Sequence, residues 1–429
     1  MLNFKTIRRS KHMKRIPPLA SLLLSLLLPI AASATNGDNL IAVGPIARSM
    51  GGVGIAAPQD AISATFANPA AMCFGPYCPS SEFDFAATLF APKIDGRVSI
   101  GGAGPLAGNH ESRADEKTYL VPAFGISTPI TPRVRLGLSA YGVTGLGVDH
   151  RNSQLSGGLL AADSTQLMIL KVAPTLAWQV SDKVSVGGAL HVVNSQLDLD
   201  QGSSSSYGIG GQLGVIFKPS ETVSLGATYQ SAMYGTKHKK VYNLDALTTG
   251  SKDQDDFTLE SPQSIGFGAA WSPSSKLLLE VNMKWLNWSD AKGYDVLGWD
   301  DQLVYAFGVQ YRPVPALALR AGYNYGKNPI KGRSFNGDGI VKVQGKDVNA
   351  YGFETLRVIG FPAIVEHHLT LGAGYNLTEA VALNVGYMHA FETSIKSTGT
   401  LPTAFGGNPV ELESKLREDS LDFSISWRF

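Results

Sequence analysis

The chain has 429 residues, 44% of them hydrophobic and only 17% charged, where a soluble domain carries roughly 25% charge. Lys+Arg number 36 against Asp+Glu 35, so a formal charge of +1 gives nucleic acid no electrostatic footprint. Beyond the N-terminus no uninterrupted apolar run reaches the eighteen or so residues of a spanning helix, so a membrane, if crossed, is crossed by strands.

Lys11, Lys14 and Arg15 precede an apolar core from Leu19 to Leu28 and then Ala32-Ser33-Ala34, a small-x-small cleavage site. Residues 1–34 therefore read as an export signal, with Met1 or Met13 as the start and Thr35 as the first mature residue. Residues 35–80 lack long period-two alternation and are rich in Ala and Gly, with Gly51-Gly52-Val53-Gly54 at their centre. So few residues make a poor core alone, but they fit inside a barrel as a hatch. Cys73 and Cys78 flank Gly75-Pro76; an oxidising compartment favours a local disulfide over two thiols. No nearby His or further Cys completes a metal site, and no cofactor motif is present.

From residue 81 onward, period-two runs alternate with two kinds of connection. Six are tight: Thr131-Pro132, Ser181-Asp182, Pro219-Ser220, Pro273-Ser274, Pro313-Val314-Pro315 and Thr378-Glu379. Between successive tight turns lies room for two strands and one longer polar loop, the asymmetry of an outer-membrane barrel. Six turns join twelve strands; the first and last make fourteen. The predicted fold is an all-β, 14-stranded antiparallel outer-membrane β-barrel over residues 81–429, with both termini on the periplasmic side. Bulky residues alternate with small or polar ones, as in Ile265, Phe267, Ala269 and Trp271 against Ser264, Gly266, Gly268 and Ala270. Trp178, Trp271, Tyr311, Tyr323, Tyr375, Tyr387 and Trp427 are placed to form interfacial girdles.

In the strand from Thr165 to Val180 the inward face carries Lys171, Thr175 and Gln179 together with Leu167 and Ile169. A water-filled porin favours charge there; this mixture suits a path for an apolar solute. Phe353, Leu356, Val358, Ile359 and Phe361 form an apolar patch in the longest loop, read as a greasy capture surface. The last strand alternates perfectly. Leu421, Phe423, Ile425, Trp427 and Phe429 share one face, and it is predicted to close the barrel against a first strand near Phe83 to Phe90, with Phe429 as a signal to the barrel-assembly machinery.

Ala47-Arg48-Ser49-Met50-Gly51-Gly52-Val53-Gly54-Ile55-Ala56, Asp60-Ala61 and Ala67-Asn68-Pro69-Ala70 resemble the hatch of the FadL family of outer-membrane long-chain fatty acid and hydrocarbon transporters. Leu259-Glu260-Ser261-Pro262, Leu286-Asn287-Trp288-Ser289 and Gly386-Tyr387-Met388-His389 are similar to later stretches of the family. The resemblance implies passive uptake by a monomer in the bacterial outer membrane, among its lipid and lipopolysaccharide. Capture outside is followed by passage past the hatch and by sideways exit through a gap where the third strand is kinked. Gly142 and Gly145 are the kink candidates, and Asn68, Pro69 and Ala70 are expected beside them as a gate. A bound fatty acid would meet an inward cation. Lys171, Lys284, Arg320 and His368 qualify by strand parity, although each could instead serve a lumenal acid such as Glu280. The competing classes are a barrel enzyme, for which no nucleophile, base and orienting group can be picked out, and a general porin or structural barrel.

Overall fold

The computed structural model describes residues 35–74, 80–115 and 118–429. The leader and Cys78 lie outside these residues; Cys73 is buried, its sulfur 3.8 Å from the Arg133 carbonyl.

Fourteen antiparallel strands close into one barrel. In chain order they are β1 (Glu82–Ile100), β2 (Tyr119–Thr131), β3 (Val134–Asp149), β4 (Ser164–Ser181), β5 (Val184–Asp198), β6 (Ser203–Ser220), β7 (Val223–Gln230), β8 (Ser264–Ser274), β9 (Leu277–Leu286), β10 (Gln302–Val314), β11 (Leu317–Gly326), β12 (His367–Asn376), β13 (Val381–Thr400) and β14 (Pro409–Arg428). All six tight turns fall where Pro, Ser and Asp predict them. Closure is by β14 on β1, in register from Arg428↔Glu82 to Val410↔Ile100. The final strand is thus more than twice as long as its apolar alternation, because its outer half carries charge above the oily band.

Parity sets the two faces. Phe423, Ile425 and Trp427 point out at 42–52% exposure, while Ser424 and Ser426 are buried in the lumen. The predicted girdle aromatics all lie on the outer face.

The N-terminal segment Thr35–Phe74 packs against the inward faces of the strands. Asp60 starts helix α1 (Ala61–Ala67) with a capping box: its carboxylate accepts from the Ser63 amide at 2.7 Å. Wall carboxylates receive the segment's other free amides. Glu280 accepts from Gly54 and Ala56 at 3.0 and 2.8 Å, and Asp84 from Ala61 at 2.8 Å. Arg48 pairs with Asp422 at 3.0 Å, both side chains almost wholly buried. Glu280 therefore serves the segment's backbone and not a lumenal cation.

Small wall residues let this packing reach main chain. A Cβ on Gly322 would sit 2.1 Å from the Gly51 nitrogen, and one on Gly214 would sit 2.0 Å from Asn68 Oδ1. Gly51 itself has φ +72°, a conformation that glycine adopts without strain. The Gly51-Gly52-Val53-Gly54 string is where backbone meets backbone.

The long-loop patch is not a surface. Asn349 caps helix α2 (Ala350–Thr355), which runs on into a wide turn at Leu356–Gly360, and Phe353, Leu356, Val358, Ile359 and Phe361 are all buried. Ile359 reaches across to Gly96 of β1, so the helix is folded inward over the barrel mouth.

Candidate functional site

The barrel wall is incomplete at one place. β2 and β3 pair from Thr131↔Val134 to Ala123↔Tyr141 and then part. Pro122, the next residue of β2, has no amide proton to offer β3. On β3 the register against β4 shifts between Gly142 and Thr144, leaving Val143 as the extra residue of a bulge. Gly145 lies beyond, regularly opposite Met168, so the irregularity belongs to Gly142 and its neighbour and not to Gly145. A Cβ on Gly142 would lie 2.6 Å from Val121 Cγ1, so this glycine keeps the space clear. The two sides rejoin where the Asp115 amide donates to the Asp149 carbonyl at 2.9 Å.

The N-terminal segment fills the gap. Residues Thr35–Asn36 and Asn39–Leu40 form a minimal hairpin, and Asn39 pairs with Thr144 of β3, whose hydroxyl donates to the Asn39 side chain at 3.3 Å. The hairpin turn is clamped by three loop aromatics, Trp288, Tyr294 and Trp299, whose ring centroids lie 4.7–4.9 Å apart. Gly37 (φ +65°) presses against this cage: a Cβ there would be 2.6 Å from Trp288. Beside it the Tyr294 hydroxyl donates to the Asp38 carboxylate. Burial pushes the Asp38 carboxyl up to about 7, with the Tyr294 hydrogen bond opposing the rise.

Against the inner side of hairpin and bulge lies a cavity of about 50 Å³. Leu40, Phe66, Val143 and Leu286 supply its apolar walls; Gln212, Gln230 and Thr228 supply polar ones; Lys171 and Lys284 project into it from β4 and β9. Lys171 stands one rung short of the last regular pair before the bulge, opposite Tyr141, whose ring meets Phe66 in a T-shaped contact at 5.5 Å. Its ammonium donates to Gln230 at 3.0 Å, and that of Lys284 lies 5.7 Å from the Phe66 ring centre. Among the described residues no carboxylate pairs with either. Taking a cation out of water without a counter-charge is costly.

The other predicted contacts are dispersed. Leu167 and Ile169 face inward on β4, buried among outer-half lumen residues but not lining this cavity. Arg320 sits near the short-turn side, its guanidinium held by Gln310 at 2.8 Å and Asn384 at 3.1 Å. His368 is buried against Thr35. Asn68, Pro69 and Ala70 are not beside the bulge. Asn68 caps a 3₁₀ turn (Pro69–Cys73) and donates to the Ile55 and Val215 carbonyls, while Pro69 and Ala70 press on Gly187 of β5. The residues at the bulge are Asn39, Leu40 and Phe66, which carry no motif; only their place in an apolar N-terminal stretch pointed to them.

A second small cavity lies between the outer loops. Tyr242, Leu244, Phe257, Val343, Phe353 and Leu356 line it, bringing the loop at 327–362, whose apolar patch sequence marked for capture, against the loop that follows β7.

The sequence pattern of one family, described as outer membrane protein transport protein (OMPP1/FadL/TodX), matches residues 30–206 and 193–336. The chain belongs to this family. FadL-family membership places it in the bacterial outer membrane as a transport protein, and solved barrels agree in fold. A FadL homologue of Pseudomonas aeruginosa superimposes with TM-score 0.65 at 15% identity, covering 94% of this chain and 99% of its own. The Pseudomonas putida toluene transporter TodX gives 0.64 at 17% identity over 92% and 100%, and the Ralstonia pickettii toluene transporter TbuX 0.61 at 16% over 91% and 99%. No curated protein sequence matches the chain.

Proposed function

We propose that this FadL-family barrel takes up long-chain fatty acids or related amphiphilic acids by diffusion, as a transporter and not an enzyme. The solute passes from the loop cavity to the Lys171–Lys284 cavity and leaves sideways between β2 and β3. One observation carries the choice of an acid: buried Lys171 and half-buried Lys284, with no carboxylate partner among the described residues, line a cavity flush with the wall gap. Neutral aromatic hydrocarbons, the cargo named for TodX and TbuX, are the second reading; they give the lysines nothing to pair with.

The inner cavity is far below the roughly 300 Å³ of an ordinary ligand site, so the structure is read as closed. The Thr35–Leu40 hairpin is the natural moving part, since it borders both cavity and gap. Sideways release is downhill because each CH₂ gains about 0.8 kcal/mol on staying out of water. Asn68, Pro69 and Ala70 then act as the plug's footing on the wall and Asn39–Leu40 as its gate. Outside the apolar band, Arg97, Lys396, Glu411 and Glu413 form an ion-pair network at the depth expected for lipopolysaccharide contact around a monomer.

The test is uptake of labelled oleate and labelled alkylbenzene by cells with and without the protein, repeated with Gly142→Trp to fill the gap. Oleate uptake should depend on the protein and fall in the variant. Equal uptake with and without the protein for every compound would refute transport; normal uptake by Gly142→Trp would refute the exit.

A further inference from the structure

Thr35 is buried in the lumen, 1% exposed, and its surroundings are those of a charged group. Its hydroxyl is 3.4 and 3.5 Å from the two carboxylate oxygens of Glu418, and its nitrogen is 3.4 Å from Nε2 of His368. Glu418 on β14 is itself 1% exposed, and Thr35 supplies the hydrogen bonds found at its carboxylate among the described residues. Arg48, the cation serving this stretch of β14, is engaged by Asp422 and Ser420. A carboxylate so buried needs a cation, and a threonine hydroxyl is not one.

We propose that Glu418, with His368 beside it, is a receptor for the protein's own mature N-terminal ammonium. Hydrolysis of the Ala34–Thr35 peptide bond consumes one water, leaves a carboxylate on Ala34 and an amine on Thr35, and that amine takes up a proton, since α-amino groups titrate near about 8. The new ammonium is three covalent bonds from a hydroxyl already touching Glu418, so it forms where the unpaired carboxylate lies. It retains a donor toward His368 Nε2, which at that position accepts as a neutral imidazole. Export processing thereby does more than remove a leader. It creates the charge that seats the hairpin in the wall gap, and an uncleaved chain cannot form the pair. The inference rests on the cleavage position and on Glu418, and stands whichever solute is carried.

Three measurements on the full-length protein exported to the outer membrane and purified in detergent decide it. The intact mass and N-terminal sequence should show Thr35 as the first residue; any other start overturns the proposal. Hydrogen exchange of the Thr35–Leu40 backbone should quicken at least tenfold in Glu418→Gln and in a variant with one serine inserted between Ala34 and Thr35, while β13 and β14 remain protected. Combining the two changes should add nothing, because they break one interaction. Wild-type exchange in Glu418→Gln would show that the carboxyl is held neutral and would overturn the pair. If that variant fails to fold, the insertion alone, which leaves every side chain in place, carries the same test.

Discussion

Replacing Lys171 and Lys284 by methionine, singly and together, separates acid from hydrocarbon as the cargo. Both ammoniums reach one cavity of about 50 Å³, so both meet the same head group. A hydrogen bond to a charged group contributes about 1.5–3 kcal/mol, which at about 1.4 kcal/mol per decade is a roughly ten- to hundredfold loss of oleate affinity for each lysine removed. The double variant should lose less than the product, because the two donors share one carboxylate. Methionine keeps length and apolar bulk, so an alkylbenzene should bind at least as well as before, relieved of two cations in its cavity. The assay is displacement of a fluorescent fatty acid from purified protein, with oleate and an alkylbenzene as competitors. Oleate binding within about threefold of wild type in the double variant, or a parallel fall for both ligands, would refute the assignment of the lysines.

Three further outcomes are expected. Gly322→Val places its first carbon 2.1 Å from Gly51 backbone with main chain on both sides, so the barrel should still migrate as folded by heat-modifiability while the N-terminal segment becomes protease-sensitive. Arg48→Met leaves Asp422 buried without its cation, a loss of about 3–5 kcal/mol, read as a lower melting temperature that Asp422→Asn largely restores. The Asp38 carboxyl is raised by burial from 3.8 to about 7, so hairpin seating is strongest below pH 3.8, weakens as pH rises toward 7 and is level above it; the full span corresponds to roughly 4 kcal/mol. Exchange protection of Thr35–Leu40 followed from pH 5 to 8 should fall in the wild type and stay flat in Asp38→Asn.

The barrel was legible because a strand's period of two writes its environment directly into sequence. Leu421 to Phe429, the Pro- and Ser-marked turns and the small residues opposite Phe267 and Trp271 were sufficient for strand count, closure and facing. Parity also placed Lys171 and Lys284 in the lumen. It could not say which inward residues share a level or what faces them across the barrel, so Arg320 and His368 looked equivalent to the lysines although Gln310, Asn384 and Thr35 already engage them. The bulge was narrowed to a glycine-rich stretch, but its position depends on where β2 stops pairing, which Pro122 sets from another strand. Helix α2 misled for a related reason: an apolar run in a long loop looks exposed until the loop folds back over the mouth.

A closed barrel ordinarily has no edges, and this is how such sheets escape unwanted pairing. The parting of β2 from β3 restores two short ones inside the membrane band, and the Asn39 rung on Thr144 covers one of them. The N-terminal hairpin is therefore a separate fragment of sheet, a guest strand completing a wall to which it does not belong. In the proposed opening, the backbone groups it had satisfied must turn to lumenal water or to cargo, because lipid offers them nothing. On the proposed sideways exit, the wall's continuity and the solute's passage are alternative uses of the same few hydrogen bonds.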